Sequence, residues 1–103
     1  MIRVRTQMRA RLGHFNQVLQ NSQQLNELAR KNGWAESRFW VAQTGRANTF
    51  VVETDFPSMA DYERESEATY ASEEWMRLIR ANVDHVVPGS VRSQIYREAE
   101  AIA

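Results

Sequence analysis

The densest run of groups able to do chemistry is 53–75, ETDFPSMADYERESEATYASEEW, where eight acids stand against one arginine. Such a run could supply paired carboxylates for acid–base work or oxygen ligands for a hard cation. Either use needs carboxylates that converge on one cavity. On a helix starting at Ser58, Met59, Tyr62 and Ser66 share the inward side, flanked by Thr69 and Tyr70. Glu63, Glu65 and Glu67 then fall on the remaining circumference, and Glu73 and Glu74 sit at a second helix start, where the dipole favours acids. No histidine lies in the run to complete a transition-metal set. It therefore reads as the solvated side of helices, and no metal site is expected.

Outside that run, His85 is the residue best suited to proton transfer, because imidazole changes charge near neutral pH. It falls on or just after the last helix, where it can act as a general base or donor in a pocket. The competing role is a contact with the terminal carbonyls of that helix. Asp84 is a poor partner for it, since adjacent helical residues point about 100° apart. His14 opens the first helix and is expected at the surface. The chain has no cysteine, which excludes disulfides, a thiolate nucleophile and thiolate zinc sites.

The elements that must position these groups follow from periodicity. Ile2, Val4, Thr6 and Met8 alternate with Arg3, Arg5, Gln7 and Arg9, the period of a strand with one buried face. From Gly13 the period lengthens: Phe15, Val18, Leu19, Ser22, Leu25, Leu28 and Ala29 mark a helix, which Asn32-Gly33 stops. Strands are expected at 36–43 and 48–54, joined through Thr44-Gly45-Arg46-Ala47 as a hairpin. Ser58 and Asp61 form a capping pair for the next helix, which breaks near Ala71 before Ser72 caps a second segment. Pro88-Gly89 ends that segment, and a fourth strand covers 91–96. The order β-α-β-β-α-β is an α+β, ferredoxin-like arrangement: a four-stranded antiparallel sheet with the helices on one face.

Composition bounds what such a domain can be. At 103 residues, with 43% hydrophobic and 25% charged residues, the chain is expected to be one globular domain over 1–98 with a tail at 99–103. A chain this size buries only about 60–65% of its unfolded surface and is often helped by a partner subunit. No apolar run is long enough to span a membrane, and MIRVRTQM lacks the apolar core of a secretory leader, so a cytoplasmic protein is expected. The net charge is zero, which removes the footprint of a nucleic-acid binder. RNA-recognition domains share the element order but stack bases on aromatics of the first and third strands, and IRVRTQM has none.

If Ile2, Val4, Met8, Phe50, Val52, Val91 and Ile95 face the helices, the opposite face carries Arg3, Arg5, Gln7, Val51, Glu53, Arg92, Gln94 and Tyr96. Either Trp40 or Phe39 with Val41 adds apolar area there. That mixture suits a half-buried surface, and its simplest partner is a second copy of the sheet.

Together the strand MIRVRTQM, the helix opening RLGHFNQVLQ, the stop NGW, the hairpin FWVAQTGRANTFVVETDFPSMADYE and the ending WMRLIRANVDHVVPGSVRSQIY resemble the dimeric α/β-barrel superfamily. Within it the chain is most similar to NIPSNAP-like and antibiotic-biosynthesis-monooxygenase-like small proteins, over about 1–98. The resemblance implies that two ferredoxin-like sheets pair into a barrel, with a pocket in each subunit between sheet and helices. It implies a homodimer binding a small apolar or aromatic metabolite, with no cofactor. The reaction would be a cofactor-independent monooxygenase, isomerase or cyclase step of natural-product type. The alternative is a non-catalytic structural or regulatory dimeric module. The haem-degrading branch relies on an asparagine, a histidine and a tryptophan, and the first strand here offers Thr6, Gln7 and Met8 with no asparagine. For the pocket, Trp40, Tyr62 and Trp75 are expected to line the gap, with Arg5 or Tyr96 orienting a polar end and His85 as the catalytic candidate.

Overall fold

The computed structural model describes residues 1–100. Its elements are β1 (Ile2–Arg9), α1 (Phe15–Lys31), β2 (Ser37–Val41), β3 (Thr49–Phe56), α2 (Met59–Tyr70), α3 (Glu73–Asn82), a short 3-10 turn (Val83–His85) and β4 (Arg92–Arg97). All pairings are antiparallel and the strand order is β2-β3-β1-β4, so the fold is the expected ferredoxin-like one with its second helix split in two. Of the expected tail, residues 99 and 100 are irregular and the remainder lies outside the described residues.

Local chemistry explains the boundaries. After α1, Gly33 takes φ 70°. Its N–H donates to the Arg30 carbonyl at 3.3 Å, and the Trp34 N–H donates to the Ala29 carbonyl at 2.9 Å. This is a Schellman stop, and only glycine adopts that φ without steric cost. Ser58 Oγ accepts from the Asp61 N–H, and Ser72 Oγ accepts from the Trp75 N–H, each at 3.2 Å. With Ser72 extended between them, α2 and α3 cannot merge into one rod.

The register places Arg5 opposite Glu53 and Gln94, and Val4 opposite Thr54 and Ile95. Because side chains alternate, this fixes the two faces as the sequence predicts. The core lies on the helix side, where Phe50 and Val18 have no exposed surface and Met8, Ala10 and Val86 pack around them. Phe50 meets Phe15 edge-on at 5.8 Å and stacks with Phe39 at 5.8 Å. Phe39 is therefore the inward residue of β2, and Trp40 is outward.

β4 departs from expectation. Ile95 shares the helix-side face but is 45% exposed, and every residue of β4 is exposed. The helices pack over β1, β3 and β2 and leave this edge strand bare. No helix among the described residues is long and apolar enough to cross a membrane.

Candidate functional site

Between the sheet and the helices lies a cavity of about 270 Å³. β1 contributes Val4, Thr6 and Met8 to its floor, and β3 contributes Val52, Thr54 and Phe56. Its roof is Trp34 beyond α1, Tyr62, Glu65 and Thr69 from α2, and Trp75 and Ile79 from α3. The aromatic walls are braced in pairs, Trp34 on Trp75 at 5.7 Å and Phe56 on Tyr62 at 5.3 Å, both near edge-to-face. Such pairs are worth roughly 0.5–1.5 kcal/mol each beyond their buried area, so the walls are held without filling the space. The volume falls just below the range for ligand pockets, about 300 Å³ upward, so only a small molecule would fit.

Polar groups at its rim are mostly engaged with one another. Ser37 Oγ and Thr54 Oγ1 lie 2.6 Å apart, and Asn26 exchanges hydrogen bonds with the Ser37 backbone at 2.7 and 3.3 Å. Glu65 accepts from the Ala35 N–H with both carboxylate oxygens, at 3.0 and 3.2 Å. Glu65 thus departs from the solvated circumference expected for it: it is half-buried and lines the cavity. Its position three residues after Tyr62 and four before Thr69 was the available signal, since such spacings share a face. Conversely Met59, expected inward, is 43% exposed, and Tyr70 is 75% exposed.

The predicted site residues divide between two places. Tyr62 and Trp75 border the cavity. Trp40 does not: alternation puts it on the opposite face of the sheet, where its Nε1 donates to Glu53 Oε1 at 2.7 Å. Arg5 and Tyr96 lie on that same outer face, Arg5 4.0 Å from Glu53 and the Tyr96 hydroxyl bonded to Gln94. The sheet stands between these three and the cavity. They instead border two open hollows of about 580 and 340 Å³.

Beside them, Asp55 receives Arg3 in a two-pronged pair at 2.8 and 3.1 Å and Arg38 at 3.2 Å. The hydrogen bond from Arg3 dominates, burial opposes it, and the charges of Arg3 and Arg38 add to it; the Asp55 carboxyl is held below its usual range. A depressed folded-state value means stability that is present above about pH 4 and lost as pH falls through the folded value. Asp55→Asn is expected to flatten the acid limb of stability measured by urea midpoints from neutral pH down to about pH 2. An unchanged acid limb would show that this exposed network contributes nothing, as many surface pairs do.

His85 takes neither of its expected positions. Its Nδ1 lies 2.9 Å from Nδ1 of His14, and both rings are half-buried. One ring must donate and the other accept. Neither lines the cavity. Around them the Arg11 N–H donates to the His85 carbonyl and the Val87 N–H donates to the Arg9 carbonyl, each at 2.9 Å. The pair thus clasps the end of β1 to the turn after α3. His14→Ala and His85→Ala are expected to destabilise by similar amounts, with a coupling of about 0.5–1.5 kcal/mol in the double mutant. Additive effects would contradict the clasp.

Among the described residues no cluster of three or more histidine, cysteine or acidic side chains is placed to hold a metal ion.

Comparison with known proteins agrees with the geometry. The structure superposes on a NIPSNAP domain protein from Burkholderia xenovorans with a TM-score of 0.81 and 17% identity, covering 100% of this chain and 99% of that one. A NIPSNAP family protein from Agrobacterium tumefaciens gives 0.78 at 15% identity, covering 96% and 93%. An antibiotic biosynthesis monooxygenase gives 0.75 at 19% identity, covering 97% and 100%. At these identities the likeness is one of fold. Among curated proteins none matches the chain. The NIPSNAP family model matches residues 9–101, nearly the full domain, and the chain belongs to the NIPSNAP family.

Proposed function

We propose that the protein is a homodimer in which each protomer uses the cavity between sheet and helices to hold a small apolar or aromatic molecule. The observation that carries this reading is the space itself. Five aromatic side chains, Trp34, Phe39, Phe56, Tyr62 and Trp75, border a volume they do not fill, whereas a purely structural core would close over it. The antibiotic biosynthesis monooxygenase among the structural neighbours suggests an oxygenase-like or biosynthetic transformation as the reaction class.

The dimer is supported by the other side of the sheet. Trp40 is 52% and Tyr96 44% exposed there. The Nε atoms of Arg5 and Arg9 are screened from solvent, yet neither makes a hydrogen bond among the described residues, and Arg5 has only the Glu53 carboxylate at 4.0 Å. Such donors are costly to leave unpaired, and a second sheet would supply acceptors.

A binding role without catalysis is favoured by two facts. His85 is turned to His14, and the cavity's carboxylate is tied to a backbone amide. The test is a thermal-shift survey of aromatic metabolites against the wild type and Ser66→Leu, which plugs the cavity without removing a wall. Ligands that raise Tm in the wild type and not in the variant support the proposal. No shift with any ligand, together with a raised Tm for Ser66→Leu, would mark the space as a packing defect.

A further inference from the structure

We propose that the cavity selects an organic cation, a hydrophobic amine in its protonated form, over carboxylic acids of the same shape; this rests on the ligand-binding reading above. The charge inventory of the lining is one-sided. Among the described residues that line it, Glu65 is the only charged one, with no arginine, lysine or histidine. Among the described residues Glu65 enters no ion pair, although five other carboxylate–arginine pairs form elsewhere. A half-buried carboxylate without a cation is electrostatically incomplete, and a ligand ammonium would complete it.

The position of the carboxylate fits that role. Its bond to the Ala35 amide sets it next to Trp34 in the chain, and one helical turn back on α2 stands Tyr62. A single N–H occupies both oxygens. A carboxylate has about four acceptor sites, so capacity remains for a ligand N–H. The aromatic walls act in the same direction. Ring faces are negative and attract an ammonium, most strongly on tryptophan, and the edge-to-face arrangement of Trp34 with Trp75 leaves ring faces uncovered by stacking. Aromatic rings with one acid form the recipe for a hydrophobic amine. An anionic ligand would meet the same carboxylate and the same ring faces without a single compensating charge.

The experiment is isothermal titration calorimetry on the full chain with three probes that differ mainly in charge: naphthylmethylamine, naphthylmethanol and naphthoate. The amine is expected to bind about tenfold tighter than the alcohol, and naphthoate at least about tenfold weaker than the alcohol. Glu65→Gln keeps an oxygen for the Ala35 amide and removes only the charge. It is expected to bring the amine to within about twofold of the alcohol, both measured on that variant. Naphthoate binding as tightly as the amine to the wild type would overturn the proposal, whatever the folding of the variant. An amine preference that survives Glu65→Gln would also overturn it. Failure of all three probes to bind would instead overturn the ligand-binding reading on which it rests.

Discussion

Phe50→Ala is expected to remove about 3–5 kcal/mol of stability, the range for deleting a fully buried aromatic ring. Phe50 has no exposed surface and is wedged between Phe15 and Phe39, so the rings that would have to collapse into the hole are themselves braced by it. A domain of this size has about 5–15 kcal/mol in all, so the variant approaches the folding threshold. Urea denaturation would show a much lower midpoint with an unchanged slope. Tyr70→Ala, at 75% exposure, is the control and should change little. A loss below about 1 kcal/mol for Phe50→Ala would mean that the core is not organised around this ring.

The second large effect concerns assembly. Trp40→Asp removes an indole that donates to Glu53 and sets a second carboxylate beside it on the outer face. If two sheets meet there, losing a tryptophan anchor at the seam costs about 2 kcal/mol or more, roughly thirtyfold in the dissociation constant. Multi-angle light scattering is expected to report twice the 12.0 kDa chain mass for the wild type and the single chain mass for the variant. A wild-type monomer at micromolar concentration would refute the dimer.

The strands and helices were legible because their signals are local. Alternation in IRVRTQMR, the Gly33 stop and the Ser58 and Ser72 caps each depend on residues within a few positions, and the structure contains all of them. What the sequence did not disclose depends on distant partners. His14 and His85 are 71 residues apart, and nothing near either announces that their rings meet. β2 carries large side chains on both faces, so its pattern could not say whether Phe39 or Trp40 points inward. The register of β2 on β3 decided it, placing Trp40 opposite Val51 and Phe39 opposite Val52. Glu65 was legible in principle from its spacing to Tyr62, but an acid amid other acids reads as solvated until its acceptor role to Ala35 is visible. The exposed β4 shows the reverse: Ile95 carries a core-like pattern on an edge no helix reaches.

The three tryptophans offer the most direct test that the cavity, and not the outer face, is the ligand site. Trp34 and Trp75 line the cavity, whereas the Trp40 Nε1–H is bonded to Glu53 on the far side of the sheet. Their indole N–H resonances can be followed separately in a nitrogen-15 correlation spectrum during titration with naphthylmethanol. The Trp34 and Trp75 signals are predicted to shift together and saturably, with Trp40 unmoved. Movement of Trp40 alone, or no movement of any indole at millimolar probe, would contradict the assignment of the cavity as the site.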